Sequence, residues 1–130
     1  MENEAVREVI GGPGVPSVIG HYSPGVRAAG MVYVSGQAGI DPATGKPAGA
    51  TFAEQARQAL TNVAAVLEAG GSRLDLVVNI TVLIADFSVF ADLNQVFSEF
   101  FPAEPPARMT IQNTLPGGLL ISVGCVALAG

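Results

Sequence analysis

Positive charge is scarce in this chain of 130 residues, which holds six lysine and arginine residues against eleven aspartate and glutamate residues. Lys46 is the single lysine, no basic run occurs, and the formal net charge is −5. A protein that binds nucleic acid normally presents a cluster of Lys and Arg side chains to the phosphate backbone. The charge balance therefore argues against a nucleic-acid partner.

Cysteine and histidine are scarcer still, with only Cys125 and His21. One cysteine excludes an intramolecular disulfide and is typical of a reducing cytoplasm, and one cysteine with one histidine cannot form a typical zinc site. Residues 1–4 are acidic where a secretory signal would be basic, and no apolar run is long enough to span a bilayer. We therefore expect a cytoplasmic protein with no metal and no membrane partner.

Charged residues of both signs make up only 13% of the chain, while hydrophobic residues make up 49%. Ordinary soluble domains carry roughly 25% charged residues. The length fits one domain over residues 1–130, and one small domain cannot bury so much apolar surface. The composition favours an oligomer whose interfaces cover that surface. The alternative is a well-packed monomer with a bland surface rich in alanine and glycine.

Apolar periodicity and turn residues predict the element order β-β-β-α-β-α-β-β. Thr51 and Glu54 form a capping box at the start of the first helix, which Gly70 ends, and Asp86 is placed to cap the second helix before Pro102 stops it. Residues 25–30 are predicted to connect the second and third strands, and residues 41–47 to form a surface loop. The strands are predicted at 6–10, 17–23, 31–36, 76–84, 107–113 and 119–128.

The strand at 76–84 is almost continuously apolar, which predicts burial on both of its faces. Two helices cannot cover both faces of a six-stranded sheet, so we expect them on one face only. The sequence thus predicts an α+β domain whose second sheet face is open to a partner subunit.

Arg108 is the only cation after residue 73, and it stands where an apolar strand should begin. An unpaired charge is costly to bury, so its guanidinium either reaches solvent or binds an anion. The planar fork of arginine suits a carboxylate held by two hydrogen bonds. The alternative is a structural arginine held by nearby carbonyls or by Glu104. We interpret Arg108 as the centre of a site for a small anion.

Weaker candidates lie near the predicted strand ends. Ser35 and the backbone after it at Gly36 could donate hydrogen bonds to an anion, although Ser-Gly is also ordinary turn chemistry. Tyr22 could orient a substrate, although a half-buried packing role is more usual. His21 lacks an orienting partner in the sequence, so a role at the rim or no role is favoured.

Four further positions lie on the last helix and strand. Asn94 lies on the polar side of the second helix and could reach a cleft. Ser122 and Gly124 share one face of the last strand. Cys125 lies among apolar residues and is more typical of a small buried hydrophobe than of a nucleophile.

Several segments in this order resemble the RidA/YjgF family of enamine and imine deaminases, from about residue 19 to residue 128. The resemblance implies a chorismate-mutase-like α+β domain, a homotrimer with ligand clefts between subunits, and hydrolysis of compounds such as 2-aminoacrylate to 2-keto acids and ammonia. It implies no metal and no organic cofactor. The segments are Ile19-Gly20-His21-Tyr22-Ser23, Val34-Ser35-Gly36-Gln37, Asp41-Pro42-Ala43-Thr44-Gly45, Glu54-Gln55-Ala56-Arg57-Gln58-Ala59-Leu60-Thr61-Asn62, Asn94, Pro106-Ala107-Arg108 and Leu115-Pro116.

The same resemblance implies roles for individual residues. Arg108 matches the family arginine that binds the substrate carboxylate. Tyr22 and Ser35 match residues that line the cleft, and Gly36 matches a position whose backbone contributes there. Asn94 resembles a cleft residue that the neighbouring subunit offers.

One departure from the family pattern concerns the handling of water. Deaminating members carry a glutamate on the last strand. When the chain is aligned with the family pattern at Leu115-Pro116 without a gap, Gly124 occupies the position of that glutamate. Members often have a cysteine two residues after the arginine, where this chain has Thr110. Either Ser122 and Thr110 hold the water, or the chemistry differs, or only binding of a small carboxylate remains. We expect a weaker or altered deaminase. The ribonuclease or translation-inhibitor label that some members carry fits the acidic composition poorly.

Overall fold

The computed structural model describes residues 5–130. Two single-turn 3-10 helices, Leu74–Leu76 and Phe87–Val89, precede β6 and α2 respectively. The regular elements are β1 (Arg7–Ile10), β2 (Gly25–Ala28), β3 (Met31–Ala38), β4 (Ile40–Asp41), β5 (Lys46–Pro47), α1 (Phe52–Ala69), β6 (Val77–Ile84), α2 (Phe90–Phe100), β7 (Ala107–Gln112) and β8 (Ile121–Leu128).

Six of the strands form one mixed sheet in the order β1-β2-β3-β8-β6-β7, in which only β6 and β7 run parallel. β4 and β5 form a separate small hairpin at the predicted surface loop. Alternate residues of the central strands, such as Val32, Ile80 and Val123, are fully buried and form one core with the apolar side of α1 and α2. The expected α+β architecture, a six-stranded sheet with two helices on one face, is confirmed.

The helix starts follow local capping chemistry. Thr51 Oγ1 accepts a hydrogen bond from Glu54 N at 3.2 Å, and Glu54 Oε1 accepts one from Thr51 N at 3.1 Å, so the predicted capping box is confirmed. The Thr51 hydroxyl also donates to Glu54 Oε1 at 2.8 Å, and this bond together with that from Thr51 N lowers the pKa of the Glu54 carboxyl. Asp86 instead caps the short 3-10 turn before α2, where its carboxylate accepts from Ser88 N at 2.7 Å.

The prediction for the second strand is wrong. Residues 17–23 form no strand, and the predicted connection at 25–30 contains β2 and a tight turn. Ala29 and Gly30 have φ values of 52° and 75°, and they join Ala28 to its partner Met31 as a two-residue hairpin loop. Two successive positive φ angles are typical of a type I′ turn, which Asn-Gly signals in most sequences and Ala-Gly does not.

The face of the sheet opposite the helices is open and largely apolar. Tyr33, Met109 and Leu128 on this face are each 45–59% exposed. β6 is therefore not buried on both faces as predicted, because its residues alternate between the core and this open face, where Asn79 is exposed. None of the helices formed by residues 5–130 combines the length and apolar character that crossing a membrane requires.

Candidate active site

The Arg108 guanidinium lies over the aromatic rings of α2. Arg108 pairs with buried Ile80 in the parallel register of β7 and β6, so its side chain projects from the helix-covered face at the edge of the sheet. Its Cζ atom lies 4.8 Å from the centroid of the Phe97 ring and 5.5 Å from that of Phe90. Such cation–π contacts hold the cation while its N–H edge can still meet an anion.

Asn94 is the polar partner of this arginine. Arg108 Nη2 donates a hydrogen bond of 2.9 Å to Asn94 Oδ1, and both residues belong to the same chain. Asn94 and Arg108 are therefore held together within one copy of the chain. The helix register explains the contact, because Phe90, Asn94 and Phe97 follow one another at three- and four-residue spacing on one side of α2.

The positive charge of Arg108 is not neutralised within the described residues. No carboxylate among residues 5–130 forms a salt bridge with it, and Glu104 is not a partner. Partial burial lowers the pKa of the Arg108 guanidinium from its ordinary value, but arginine stays charged at neutral pH. Because Asn94 is neutral, the cation is left to bind an anion.

Thr110 lies next to Arg108 on the same face of β7. In the parallel register it pairs with buried Val82, one alternation along from Arg108. Its Oγ1 atom is buried and has no hydrogen-bond partner among the described residues. A hydroxyl left in this state is costly, so this position favours a ligand or a water that pairs with it.

Ser35 and Gly36 lie at an irregularity in the pairing of β3 with β8. The register advances from Val34 opposite Cys125 to Gln37 opposite Val123, so an extra residue is accommodated between them, as in a β-bulge. Ser35 Oγ donates to Ser23 O at 2.6 Å, and Ser35 N donates to Pro24 O at 3.0 Å. Ser35 therefore holds the segment that carries Tyr22, while its oxygen can still accept a hydrogen bond.

An open cavity of about 350 Å³ lies beside this bulge. It brings together three of the predicted site residues, Tyr22, Gly36 and Ser122, and Gln37 and Asn62 also contribute to its lining. Tyr22 is 45% exposed, and its hydroxyl accepts a long hydrogen bond of 3.4 Å from Ile19 N. The lining contains no Asp, Glu, His, Lys or Arg side chain among the described residues.

The cavity and the Arg108 cluster are separate within one chain. β8 and β6 lie between β3 and β7, so Gly36 and Arg108 are three strand spacings apart, roughly 14 Å at about 4.8 Å each. Arg108, Asn94, Thr110 and Ser35 are not part of the cavity lining. The structure thus groups the predicted residues into two half-sites.

Gly124 and Ser122 occupy different positions relative to the cavity, although both lie on the open face of β8. Ser122 lines it, whereas Gly124 does not. A Cβ atom on Gly124 would lie 3.2 Å from Val34 O and 3.6 Å from Gly36 N, so the bulge covers this position closely. A Cβ atom on Gly36 would lie 2.9 Å from Ser122 Oγ, which shows how closely the backbone there approaches the serine.

Cys125 points into the core and its thiol is not poised for chemistry. Burial raises the pKa of Cys125 to about 12, so the thiolate is negligible at neutral pH. His21 is exposed, in keeping with a rim position. Within residues 5–130, no three His, Cys, Asp or Glu side chains gather in a group that could hold a metal ion.

Three buried side-chain amides line the cavity or hold the loops beside it, and sequence reasoning gave them no role. Gln55 donates to Gly49 O and Gly118 O at 3.0 Å each, and it accepts from Leu120 N at 2.8 Å. Asn62 donates to the carbonyls of Ala38 and Ile40. These two side chains of α1 hold the loops around the cavity. Polar residues on the core-facing side of an amphipathic helix were the signal that could have revealed them.

Gln37 is the third buried amide and differs from the other two. Its side chain is 8% exposed, lines the cavity, and forms no hydrogen bond with another described residue. It follows Gly36 directly in the Val34 to Gln37 segment. The position of this amide depends on the bulge in β3, which the sequence pattern does not reveal.

Comparison with known proteins relates this geometry to one family. The family model described as Endoribonuclease L-PSP matches residues 14–129. The 2-iminobutanoate/2-iminopropanoate deaminase of Bos taurus is 39% identical over 126 residues, which cover 96% of this chain and 92% of that protein. RidA from an Antarctic Psychrobacter species is 35% identical with a TM-score of 0.88, covering 93% of this chain and 98% of the other. Escherichia coli TdcF with bound serine is 33% identical, also with a TM-score of 0.88, covering 95% and 99% respectively.

Proposed function

Because this chain belongs to the RidA/YjgF family, described in its family model as endoribonuclease L-PSP, we propose that it is an enamine and imine deaminase. Its substrates are 2-imino acids and their enamine tautomers of the 2-aminoacrylate type, and its products are 2-keto acids and ammonia. The proposal is supported by the name of the bovine relative, which acts on 2-iminobutanoate and 2-iminopropanoate.

The observation that carries this proposal is the state of Arg108. Its guanidinium is held by two aromatic rings and a neutral amide, and no described residue supplies an opposing charge. Every 2-imino acid carries a carboxylate beside its C=N bond, and a bidentate arginine contact is a strong and directional way to bind one. Arg108 therefore anchors the substrate and fixes the position of the imine carbon.

A complete site requires two copies of the chain, arranged as a homotrimer with clefts between subunits. One copy supplies Arg108, Asn94 and Thr110, and its neighbour supplies Tyr22 and the cavity beside Gly36. The separation of these half-sites within one chain supports this arrangement. The apolar open face of the sheet gives the copies a surface on which to associate. The single buried thiol suits the reducing cytoplasm, where we place the protein.

The chemistry is the addition of water across the C=N bond followed by loss of ammonia. The oxygen of water bonds to the imine carbon and one of its protons goes to nitrogen. The new hydroxyl then passes its proton to the amino nitrogen, the C–N bond breaks, and ammonia leaves while the hydroxyl oxygen becomes the keto oxygen. Ser122, the unpaired hydroxyl of Thr110 and the Gly36 N–H are the groups that can hold this water and the developing charge.

The described lining of the cavity contains no acidic or basic side chain, and this lowers the rate of imine hydrolysis that we expect. A positioned general acid or base contributes roughly 100- to 10,000-fold to a reaction of this kind. Binding and orientation by Arg108 and the hydroxyl groups act without that contribution. We therefore expect catalysis that is weaker than that of a member with a carboxylate in the cleft.

An amino-acid oxidase that produces imino acids in the assay mixture tests the proposal. The purified chain should speed the release of 2-keto acid and ammonia above the spontaneous rate, and Arg108→Ala should reduce kcat/KM by about 100-fold or more because the carboxylate loses its anchor. Arg57→Ala is a matched control, since Arg57 pairs with Glu99 on an exposed surface. Equal rates for the wild type, Arg108→Ala and buffer across several imino acids would refute the deaminase.

A second candidate function is non-catalytic binding of small carboxylates such as 2-keto acids. The observation that favours it is the same lack of an acid or base among the described lining residues of the cavity. A ligand that binds only the native state raises the unfolding temperature. Thermal stabilisation by 2-keto acids in the wild type but not in Arg108→Ala, without any turnover of imino acids, would identify a binding protein.

A further inference from the structure

The cavity beside Gly36 is much larger than the side chain of a small imino acid. Its volume is about 350 Å³. A cavity of about 150 Å³ is enough to bind benzene, so a methyl or ethyl group would leave most of this space unfilled. Val18, Leu115, Leu119 and Ile121 form apolar parts of its wall. Its size and lining are typical of a pocket for an apolar group at least as large as benzene.

Gln37 makes this pocket chemically selective. The residue is 8% exposed, and its amide lines the cavity and forms no hydrogen bond with another described residue, whereas the Asn62 amide on the same wall donates to two carbonyls. A ligand that fills the cavity removes water from this amide, and a ligand atom that forms a hydrogen bond with it offsets that cost. The pocket therefore favours a ligand group that is apolar in most of its volume and carries one hydrogen-bonding atom.

We infer that this cavity binds the side chain of the imino acid, and that the preferred substrates carry an aromatic side chain with a polar tip, which hydrogen-bonds to Gln37. This inference rests on the proposed deaminase function and gives its substrate class. Ser122 and Gly36 both line the pocket at the bulge in β3, and they are also groups that can hold the attacking water. A side chain in this pocket would therefore lie next to the reacting carbon. A tyrosine-derived imino acid has the required size and a phenolic hydroxyl.

The first test compares substrates. Imino acids are produced by an amino-acid oxidase from alanine, leucine, phenylalanine and tyrosine, and the enzyme-dependent rate is measured for each. The expected kcat/KM is about tenfold or more higher for the phenylalanine-derived than for the alanine-derived imine, since additional apolar surface is buried. A preference for the alanine-derived imine would overturn the inference and leave the deaminase function standing. Acceleration of none of them would refute both.

The second test changes the pocket itself. Ala38→Leu narrows the cavity, and the phenylalanine-to-alanine ratio of kcat/KM should fall by about tenfold, while Ala69→Leu, the same exchange at an exposed position, should leave the ratio unchanged. Gln37→Leu should lower the tyrosine-to-phenylalanine ratio by about tenfold, because the phenol loses its partner.

Gln37→Met, which keeps the length of the side chain without its amide, provides a second variant where Gln37→Leu folds poorly. A purely structural role of Gln37 would lower all rates together and leave the tyrosine-to-phenylalanine ratio unchanged. That result, or an unchanged phenylalanine-to-alanine ratio in Ala38→Leu, would overturn the side-chain pocket.

Discussion

Arg108 Nη2 donates a 2.9 Å hydrogen bond to Asn94 Oδ1, so a neutral amide from α2 is the polar partner of the cation on β7. This pairing orients the guanidinium without cancelling its charge. A carboxylate at the same position would form an ion pair and compete with the ligand. The identity of residue 94 therefore controls how strongly Arg108 binds an anion.

Asn94→Asp should weaken binding of a 2-keto acid by about tenfold or more, because the new carboxylate neutralises the arginine. Asn94→Ala should weaken binding less, since it removes only the orienting hydrogen bond. Isothermal titration calorimetry with 2-ketobutanoate measures both effects. Gln95→Glu, which adds the same charge at the next, exposed position of α2, is the control. Tighter binding in Asn94→Asp would contradict the role assigned to this pair.

Because each site is shared between two copies of the chain, two inactive variants that damage different halves should recover activity when they assemble together. Arg108→Ala damages one half-site and Gly36→Leu the other, because a side chain at Gly36 would meet Ser122. Each variant alone should be inactive. After unfolding and refolding of an equal mixture, about a quarter of the interfaces in a cyclic trimer join two intact halves, so about a quarter of the wild-type activity should return. Full loss of activity in a mixture shown to contain mixed trimers would contradict the shared site.

A carboxylate introduced on β8 should speed the reaction, and its effect should depend on position. Ser122 lines the cavity and Gly124 does not, so Ser122→Glu should raise kcat more than Gly124→Glu. The gain should be present above the ordinary glutamate pKa of about 4.3 and disappear as the pH falls through it, because the carboxylate then becomes protonated. A gain confined to Gly124→Glu would favour the position that the family resemblance suggested. Ser122→Gln and Gly124→Gln are controls of equal size without the charge.

Burial of Cys125 predicts both low reactivity and a loss of stability at high pH. The native thiol should resist alkylation by iodoacetamide at pH 8 and react only after unfolding. Burial in the folded state raises the pKa of the Cys125 thiol from 9.0 to about 12. The contribution of the thiol to the free energy of unfolding is therefore complete below pH 9 and is lost as the pH rises towards 12. The loss is about 1.4 kcal/mol per pH unit in that window.

Urea unfolding of the wild type and Cys125→Ala at pH 8 and pH 10 isolates this contribution from other groups that titrate there. The difference in the free energy of unfolding between the two proteins should narrow at pH 10. A difference that is the same at both pH values would contradict the burial of the thiol.

Gln55 should be essential for the loop that borders the cavity. Gln55→Leu leaves two carbonyl groups and the Leu120 N–H without the partners they now have, which should cost about 2–4 kcal/mol in the free energy of unfolding. Gln95→Leu, the same exchange on an exposed surface, should cost less than about 0.5 kcal/mol. Urea unfolding measures both changes. A cost for Gln55→Leu no larger than that of the control would show that these hydrogen bonds contribute nothing.

Local sequence signals predicted much of the fold. The capping box at Thr51 and the apolar spacing that follows it depend on residues close in sequence, and both were confirmed in α1. The prediction of a strand at 17–23 was wrong. The strand at this place in the order is β2, which is defined by its pairing with β1 and β3 rather than by its own residues. A four-residue strand that begins at Gly25 has little local preference for the extended state, so its partners determine it.

The candidate site, like the fold, was only partly predictable from the sequence. Arg108 was identified from the sequence because an isolated charge in an apolar segment can be counted without a structure. Its contact with Asn94 was not identified, because it joins two elements through the packing of α2 against the sheet. The cavity and the unpaired amide of Gln37 also depend on tertiary contacts, since the bulge in β3 and the loop held by Gln55 create them.

The sequence by itself determined the scarcity of positive charge, the start of α1 and the presence of one cation that needs an anion, because these depend on composition and on neighbours along the chain. The tertiary structure alone decided which residues share a half-site, which amides are buried with or without a partner, and that Arg108 and the cavity lie three strands apart. The physical reason is that hydrogen bonding and burial at these positions come from residues far apart in the sequence, which meet only when the sheet and helices pack.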